Sequence, residues 1–170
     1  PSTADTNGTS DLLDVLEQYD SRATFFCVGN NINDKSGPLL KRMVELGCEV
    51  GNHSYDHAQL TKLDAKGVHD EIDTTNELIK KYSGRDCRII RPPYGAADND
   101  IVPANVSQPF IMWDVDTEDW KSLNASKVIA SVERYRSQDW DGAVILMHDI
   151  HPTTVEACKT LIPELVNAGY

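Results

Sequence analysis

The chain has 170 residues, 40% of them hydrophobic, enough for a single domain with an ordinary core and no need for a second. Its formal net charge is -11 with no Lys- or Arg-rich run, so the field that gathers nucleic acid or anionic lipid is absent and neither is expected as a partner. No apolar stretch is long enough to span a bilayer, and no signal-peptide pattern opens the segment, which begins abruptly at Pro1.

Short apolar, β-branched or aromatic runs alternate with longer segments of helical period, the pattern of βα repetition. A first helix is expected over residues 9–19, where Ser10 or Thr9 can cap and Leu12, Leu13, Val15 and Leu16 share one face. Residues 23–28 read as a strand and 37–46 as a helix that Gly47 stops. A second strand follows over 48–52, then a helix over 68–82 with Ile72, Leu78 and Ile79 set against acidic neighbours. Strands at 88–91 and 110–115, a helix at 126–135 and a strand at 143–147 continue the alternation. The last helix, 153–166, contains Pro163, which should kink or restart it. Five buried strands with helices between them fit a parallel sheet, open and doubly wound or closed as a barrel. Either form puts the functional face at the C-terminal ends of the strands.

Cys27, Cys48, Cys87 and Cys158 form no C-x-x-C pair and lie in or beside apolar runs, which reads as buried free thiols, with a disulfide as the alternative. N-x-S/T sequons at Asn7, Asn52, Asn105 and Asn124 are at chance level, and the one at Asn52 overlaps the residues discussed next.

Polar and titratable side chains gather just after the strands. His53 and His57 follow the second strand, four residues apart; on a helical turn that spacing lets both imidazoles meet one ion. The same pair also fits a capped turn with solvent-facing rings, for which Asn52 and Ser54 are suitable flanks. Arg91 leaves the third strand ahead of two prolines, a stiff segment in which a guanidinium ties either a structural or a catalytic carboxylate. Tyr94-Gly95 then makes a tight turn, where a backbone N–H can face a developing oxyanion and glycine lets a substrate come close. Asp114, Asp116, Glu118 and Asp119 crowd together between Trp113 and Trp120, as a solvated loop or as a site walled by indoles that stack on sugar. His148 ends the fifth strand, as a satisfied core residue or a functional one.

In this order the pieces resemble the polysaccharide deacetylases of carbohydrate esterase family 4, the NodB homology domain. Four of the family's five short motifs can be read: H-S-Y-D-H at residues 53–57, R-P-P-Y-G at 91–95, D-T-E-D-W at 116–120 and L-M-H at 146–148. The first motif, T-F-D-D-G, is absent before Pro1, and the closing strand is absent after Tyr170. The resemblance therefore implies an α/β fold, a distorted (β/α) barrel of the NodB type lacking its first and last strands. Residues 1–170 would be a single deacetylase domain trimmed at both ends.

The resemblance also implies a mechanism. His53 and His57 are expected to be metal ligands, with a missing aspartate as the third, for Zn2+ or else Co2+ or another divalent ion. A second missing aspartate, held by Arg91, would be the general base. The Tyr94 N–H would face the oxyanion, with Gly95 beside it, and Trp120 and Leu146 would wall the acetyl pocket. His148 would protonate the leaving amine, with Asp116 on its other ring nitrogen. The expected partner is a carbohydrate polymer, peptidoglycan or chitin carrying N-acetylglucosamine, in a bacterial extracellular or cell-wall setting. O-acetylated xylan is the alternative substrate, and a non-catalytic carbohydrate-binding descendant the alternative function. Lacking base and third ligand, the fragment alone is expected to be inactive.

Overall fold

The computed structural model describes residues 6–136 and 142–170. In chain order its elements are α1 (Thr6–Gln18), β1 (Thr24–Cys27), α2 (Gly37–Glu45), β2 (Glu49–Asn52), α3 (Ala65–Ser83), α4 (Ile101–Asn105), β3 (Val115–Asp116), α5 (Asp119–Ser122), α6 (Ala125–Arg136), β4 (Ile145–Leu146) and α7 (Pro152–Asn167). They fall into two compact units, one of Ala23–Ile111 and one of Asn7–Arg22 with Met112–Tyr170.

In the first unit β1 and β2 pair in parallel, Thr24 opposite Glu49 through Cys27 opposite Asn52. Each carries Glu or Thr at its exposed start and then three buried residues, as strands covered on both faces do. The expected strands at 88–91 and 110–115 shrink here to single parallel bridges, Asn52 to Ile90 and Ile90 to Phe110. Prolines explain the loss. Pro92 and Pro93 follow Arg91 and have no N–H to extend a ladder, and Pro109 offers only its carbonyl, which accepts from the Ile90 N–H at 3.1 Å. Ile90 is fully buried and packs with Leu60, Val68, Ile72, Val102 and Val106.

Helix α3 begins at Asp64, whose side chain accepts from the Gly67 N–H, and ends at Gly84 with φ of 75°. Gly47, with φ of 79°, closes α2 as expected; its N–H reaches Val44 and that of Cys48 reaches Met43.

In the second unit β3 and β4 pair in parallel, Val115 with Ile145 and Asp116 with Leu146. Helices α6 and α7 close over a core of Val128, Val132, Ala157 and Leu161, against which Ile145 and Met147 pack. Helix α1 starts at Thr6, so the expected caps lie inside it. Thr9 is buried, and its hydroxyl donates to Asp149 Oδ2 at 2.8 Å. A Cβ on Gly8 would come within 2.8 Å of the Asp149 carbonyl, so the absence of a side chain there lets α1 approach that segment. Helix α7 runs unbroken through Pro163, without the expected restart; the buried Val155, Ala157, Cys158 and Leu161 hold its preceding turns in place. The short helices α4 and α5 were not anticipated from hydrophobic period, being only five and four residues long.

The expected five-stranded parallel sheet is thus present, among the described residues, as two parallel pairs and two bridges. No helix among them is long and apolar enough to cross a membrane. Because Ile90 is fully enclosed and joins both bridges, Ile90→Ala should cost about 3 kcal/mol, within the range for truncating a buried aliphatic side chain. Urea denaturation would read this, and a loss under about 1 kcal/mol would show that the ladder does not depend on Ile90.

Candidate active site

The first unit brings together His53, His57, Arg91, Tyr94 and Gly95. The segment from His53 to His57 is not the helical turn that the four-residue spacing suggests. It is an irregular loop with two left-handed residues, Ser54 (φ 63°) and His57 (φ 68°). It still packs the two rings together, centroids 4.9 Å apart and nearly perpendicular. The end of β2 fixes the near side: the His53 N–H donates to the Cys27 carbonyl at 3.0 Å, and Asn52 Oδ1 accepts from the Ser54 N–H at 2.8 Å. Asn52 therefore serves the turn as its sequence position suggested, through an Asx-type bond. The Ser54 hydroxyl does not; it is buried with no hydrogen-bond partner among the described residues.

His53 is only 6% exposed, and its Nδ1 lies 2.6 Å from the Arg91 carbonyl. A carbonyl can only accept, so Nδ1 carries the proton and Nε2 keeps a lone pair. Burial, the largest influence, also holds the imidazole pKa well below its ordinary 6.5, so the ring is neutral at neutral pH. A neutral imidazole with its second nitrogen tied to a backbone carbonyl is the form in which histidine binds a metal.

Arg91 is buried, its Nε donates to the Ile111 carbonyl at 2.9 Å, and its guanidinium lies 4.4 Å from the centre of the Phe26 ring. Burial lowers its pKa to about 10, which leaves it charged at neutral pH. The following turn has the expected tightness. Tyr94 (φ 61°) and Gly95 (φ 67°) are both left-handed, and the Gly95 N–H returns to the Pro92 carbonyl at 3.1 Å. The Tyr94 ring is 69% exposed and meets His57 edge-on at 4.9 Å.

The second unit holds Asp116, Trp120, Leu146 and His148, and here the structure corrects one assignment. The carboxylate on His148 Nδ1 is that of Asp119, at 2.8 Å, not that of Asp116. Asp116 Oδ1 instead accepts from the Glu118 N–H at 2.9 Å and shapes the turn. The physical reason is direction. Asp119 opens α5 directly after Glu118, whose φ of 50° swings the chain so that residue 119 faces inward, fully buried. Asp119 also accepts from the His148 and Trp120 N–H groups and from the Thr154 hydroxyl. Burial opposes its charge, but the bonds from His148 and Thr154 outweigh that and keep its carboxyl below the ordinary 3.8. An ionised Asp119 only accepts, so His148 Nδ1 bears a proton and Nε2 is the nitrogen left to exchange one. Asp119 was visible in the acidic cluster, but its burial was not.

The rest of the cluster divides by role. Asp114 Oδ2 accepts from the Val144 N–H at 2.8 Å, beside the sheet. Trp120 is 53% exposed, as a stacking surface would be. Leu146 is buried, and its carbonyl accepts from the Thr117 hydroxyl at 2.8 Å. Asp149 is engaged by Thr9, and Cys158 is a buried free thiol whose pKa burial pushes up to about 12. Among the described residues no three His, Cys, Asp or Glu side chains are grouped to hold an ion.

Comparison with known proteins agrees with this picture. The family model described as polysaccharide deacetylase matches residues 2–110. A peptidoglycan-N-acetylglucosamine deacetylase of Listeria monocytogenes is 41% identical over 170 residues, covering 100% of this chain and 35% of its own length. The chain thus spans about a third of that relative. The solved structure of the peptidoglycan deacetylase PdaC from Bacillus subtilis matches with a TM-score of 0.89 and 37% identity, over 98% of this chain and 80% of that one. A family 4 acetyl xylan esterase from Clostridium thermocellum, in complex with a cobalt ion, matches with a TM-score of 0.88 and 33% identity, over 98% and 80%. The chain belongs to the polysaccharide deacetylase family. Its fold is accordingly the distorted (β/α) barrel type that the motifs implied.

Because the folded Asp119 carboxyl resists protonation more than in the unfolded chain, it contributes stability above pH 3.8 that fades as pH falls through the folded pKa. Asp119→Asn should therefore lose most stability at pH 7 and progressively less toward pH 3, read by chemical denaturation at both pH values. An equal loss at each would show that the charge of Asp119 is not what matters.

Proposed function

We propose that this chain carries most of the site of a metal-dependent deacetylase that hydrolyses N-acetyl groups on N-acetylglucosamine-containing polysaccharide, peptidoglycan or chitin oligomers. The setting would be the bacterial cell wall or its exterior, and residues 1–170 would belong to one deacetylase domain. The observation that carries this reading is the bond of His53 Nδ1 to the Arg91 carbonyl, which leaves Nε2 with its lone pair on a ring packed against that of His57. The family membership and the named activity of the Listeria relative support the substrate class.

His53 and His57 would hold the ion, Zn2+ before Co2+ or another divalent metal, with a carboxylate from the upstream motif as third ligand. Bound there, the ion would polarise the acetyl carbonyl and acidify a water. Arg91 would hold the upstream aspartate that serves as base. The Tyr94 N–H, presented by its left-handed turn, would stabilise the oxyanion, and Gly95 would leave room for the substrate. His148 would deliver its Nε2 proton to the departing amine while Asp119, bonded to Nδ1, orients the ring. Asp116 would act through the turn it builds. Trp120 and Leu146 would line the acetyl pocket. The xylan esterase neighbour favours a second reading, hydrolysis of O-acetyl groups, which uses the same groups with an alkoxide in place of the amine as leaving group.

The test is acetate release from N-acetylglucosamine oligomers, peptidoglycan and acetylated xylan by the full-length protein. His53→Ala or His57→Ala should lose metal, by elemental analysis, together with activity. His148→Ala should keep its metal and lose turnover by about 10²- to 10⁴-fold, the contribution of a general acid. Full metal content in both of the first variants, or loss of metal in the third, would overturn these roles.

A further inference from the structure

The loop that carries the two histidines is held by a side chain outside every motif. Glu71, half-buried on α3, accepts through Oε2 from the Tyr55 N–H at 2.7 Å and the Asp56 N–H at 3.1 Å. These are the N–H groups of the two residues just before His57. Residues with a Cβ resist the left-handed region, and this loop has two such residues, Ser54 and His57, within four positions. A backbone of that kind persists only where its surroundings over-determine it.

The first half of the loop is fixed by β2 and by Asn52, whose Nδ2 donates to the Ile72 carbonyl at 2.9 Å and to Asn76 Oδ1 at 2.8 Å. Its outer carbonyls accept from the chain after β1, Ser54 from the Gly29 N–H and Tyr55 from the Asn30 N–H. Gly29 permits this approach, since a Cβ there would lie 2.8 Å from the Tyr55 ring. What remains is the turn from Tyr55 into His57, and Glu71 supplies the acceptor for both of its amides. One side-chain oxygen that accepts from two N–H groups ties both peptide groups to α3 at a single point.

We propose that Glu71 is a positioning residue for metal binding: by holding the Tyr55 and Asp56 amides it sets the direction of His57 and so the separation of the two imidazoles. This rests on the reading of His53 and His57 as ligands. Without the carboxylate the two amides turn to water, His57 samples several orientations, and the ion must select one of them. Loss of an outer partner of this kind typically weakens metal affinity about 10- to 100-fold. The role belongs to hydrogen-bond acceptance rather than to charge, because a carbonyl oxygen at the same place can take the same two N–H groups.

The experiment is a competitive titration of Zn2+ against a chromophoric chelator, on the metal-free full-length protein. Wild type is compared with Glu71→Ala, Glu71→Met and Glu71→Gln. Alanine and methionine should raise the Kd for Zn2+ by about 10- to 100-fold, while glutamine stays within about threefold of wild type. Methionine keeps the length and apolar stem of glutamate, so it serves if the alanine variant does not fold. Wild-type affinity in Glu71→Met would overturn the proposal, as would an equal loss in Glu71→Gln, which would assign the effect to charge. His53→Ala and His57→Ala in the same titration separate the two readings. If they bind Zn2+ as wild type does, the ligand assignment has failed; if they do not, while Glu71→Met does, only the role of Glu71 has failed.

Discussion

A carbonyl oxygen cannot donate, and at Arg91 that limitation decides the state of the candidate metal ligand. The bond from His53 Nδ1 exists because the Ile90 bridge brings residues 91 and 52 together: the Arg91 N–H donates to the Asn52 carbonyl at 3.0 Å. Ile90 in turn sits where it does because it is wholly enclosed by aliphatic side chains of the first unit. A one-residue slip would turn the apolar side chain of Ile90 out of the core, so hydrophobic burial sets the register here. The register sets the tautomer. A packing preference becomes the chemical identity of a nitrogen atom.

The second unit reaches the same end by a different route. His148 also has Nδ1 engaged and Nε2 left over, but its partner is a carboxylate rather than a carbonyl. The difference is chemical. A neutral acceptor beside a deeply buried ring favours neutral imidazole, suited to a ligand. An ionised acceptor beside a less buried ring holds the proton on Nδ1 and turns Nε2 outward from that bond, as an acid requires. The His148 ring, the His148 N–H and the Thr154 hydroxyl keep Asp119 charged in a place where a lone carboxylate would take up a proton.

The sequence made the order of elements and most of the side chains legible, because strand ends and motif spacing are linear properties. Helices α2, α3, α6 and α7 lie close to where apolar period and stop signals put them. The lengths of the strands were not legible. Ile89 and Ile90 read as a strand by composition, yet the prolines on either side of the bridge remove the donors that a ladder needs. The role of Asp119 was hidden for a related reason. Asp116 and Asp119 differ in sequence only by position, and the αL residue between them that turns one inward is a glutamate, a type with no preference for that conformation. Glu71 lay beyond any local pattern, because its partners are 15 and 16 residues away.

The left-handed residues show where this fold departs from regular structure, and why. Among the described residues, non-glycine positive φ values occur at Asp20, Ser54, His57, Tyr94, Glu118 and Leu123. Apart from Asp20, each lies in or beside a segment that follows a strand or bridge and carries a candidate site residue. A regular continuation after β2 or β3 would alternate side chains or wind them into a helix, and neither form places His53 on the Arg91 carbonyl or Asp119 on His148. Such positions cost of order 1–3 kcal/mol each, so they persist only where bonds from neighbouring segments outweigh that cost. Those bonds are present: Asn52 and Glu71 around Ser54 and His57, Pro92 and Pro93 around Tyr94, Asp116 and Asp119 around Glu118 and Leu123. The short strands and the strained turns are therefore one feature. Each strand runs only as far as its register is needed, and the chain then leaves regular structure at the residue whose side chain must point elsewhere.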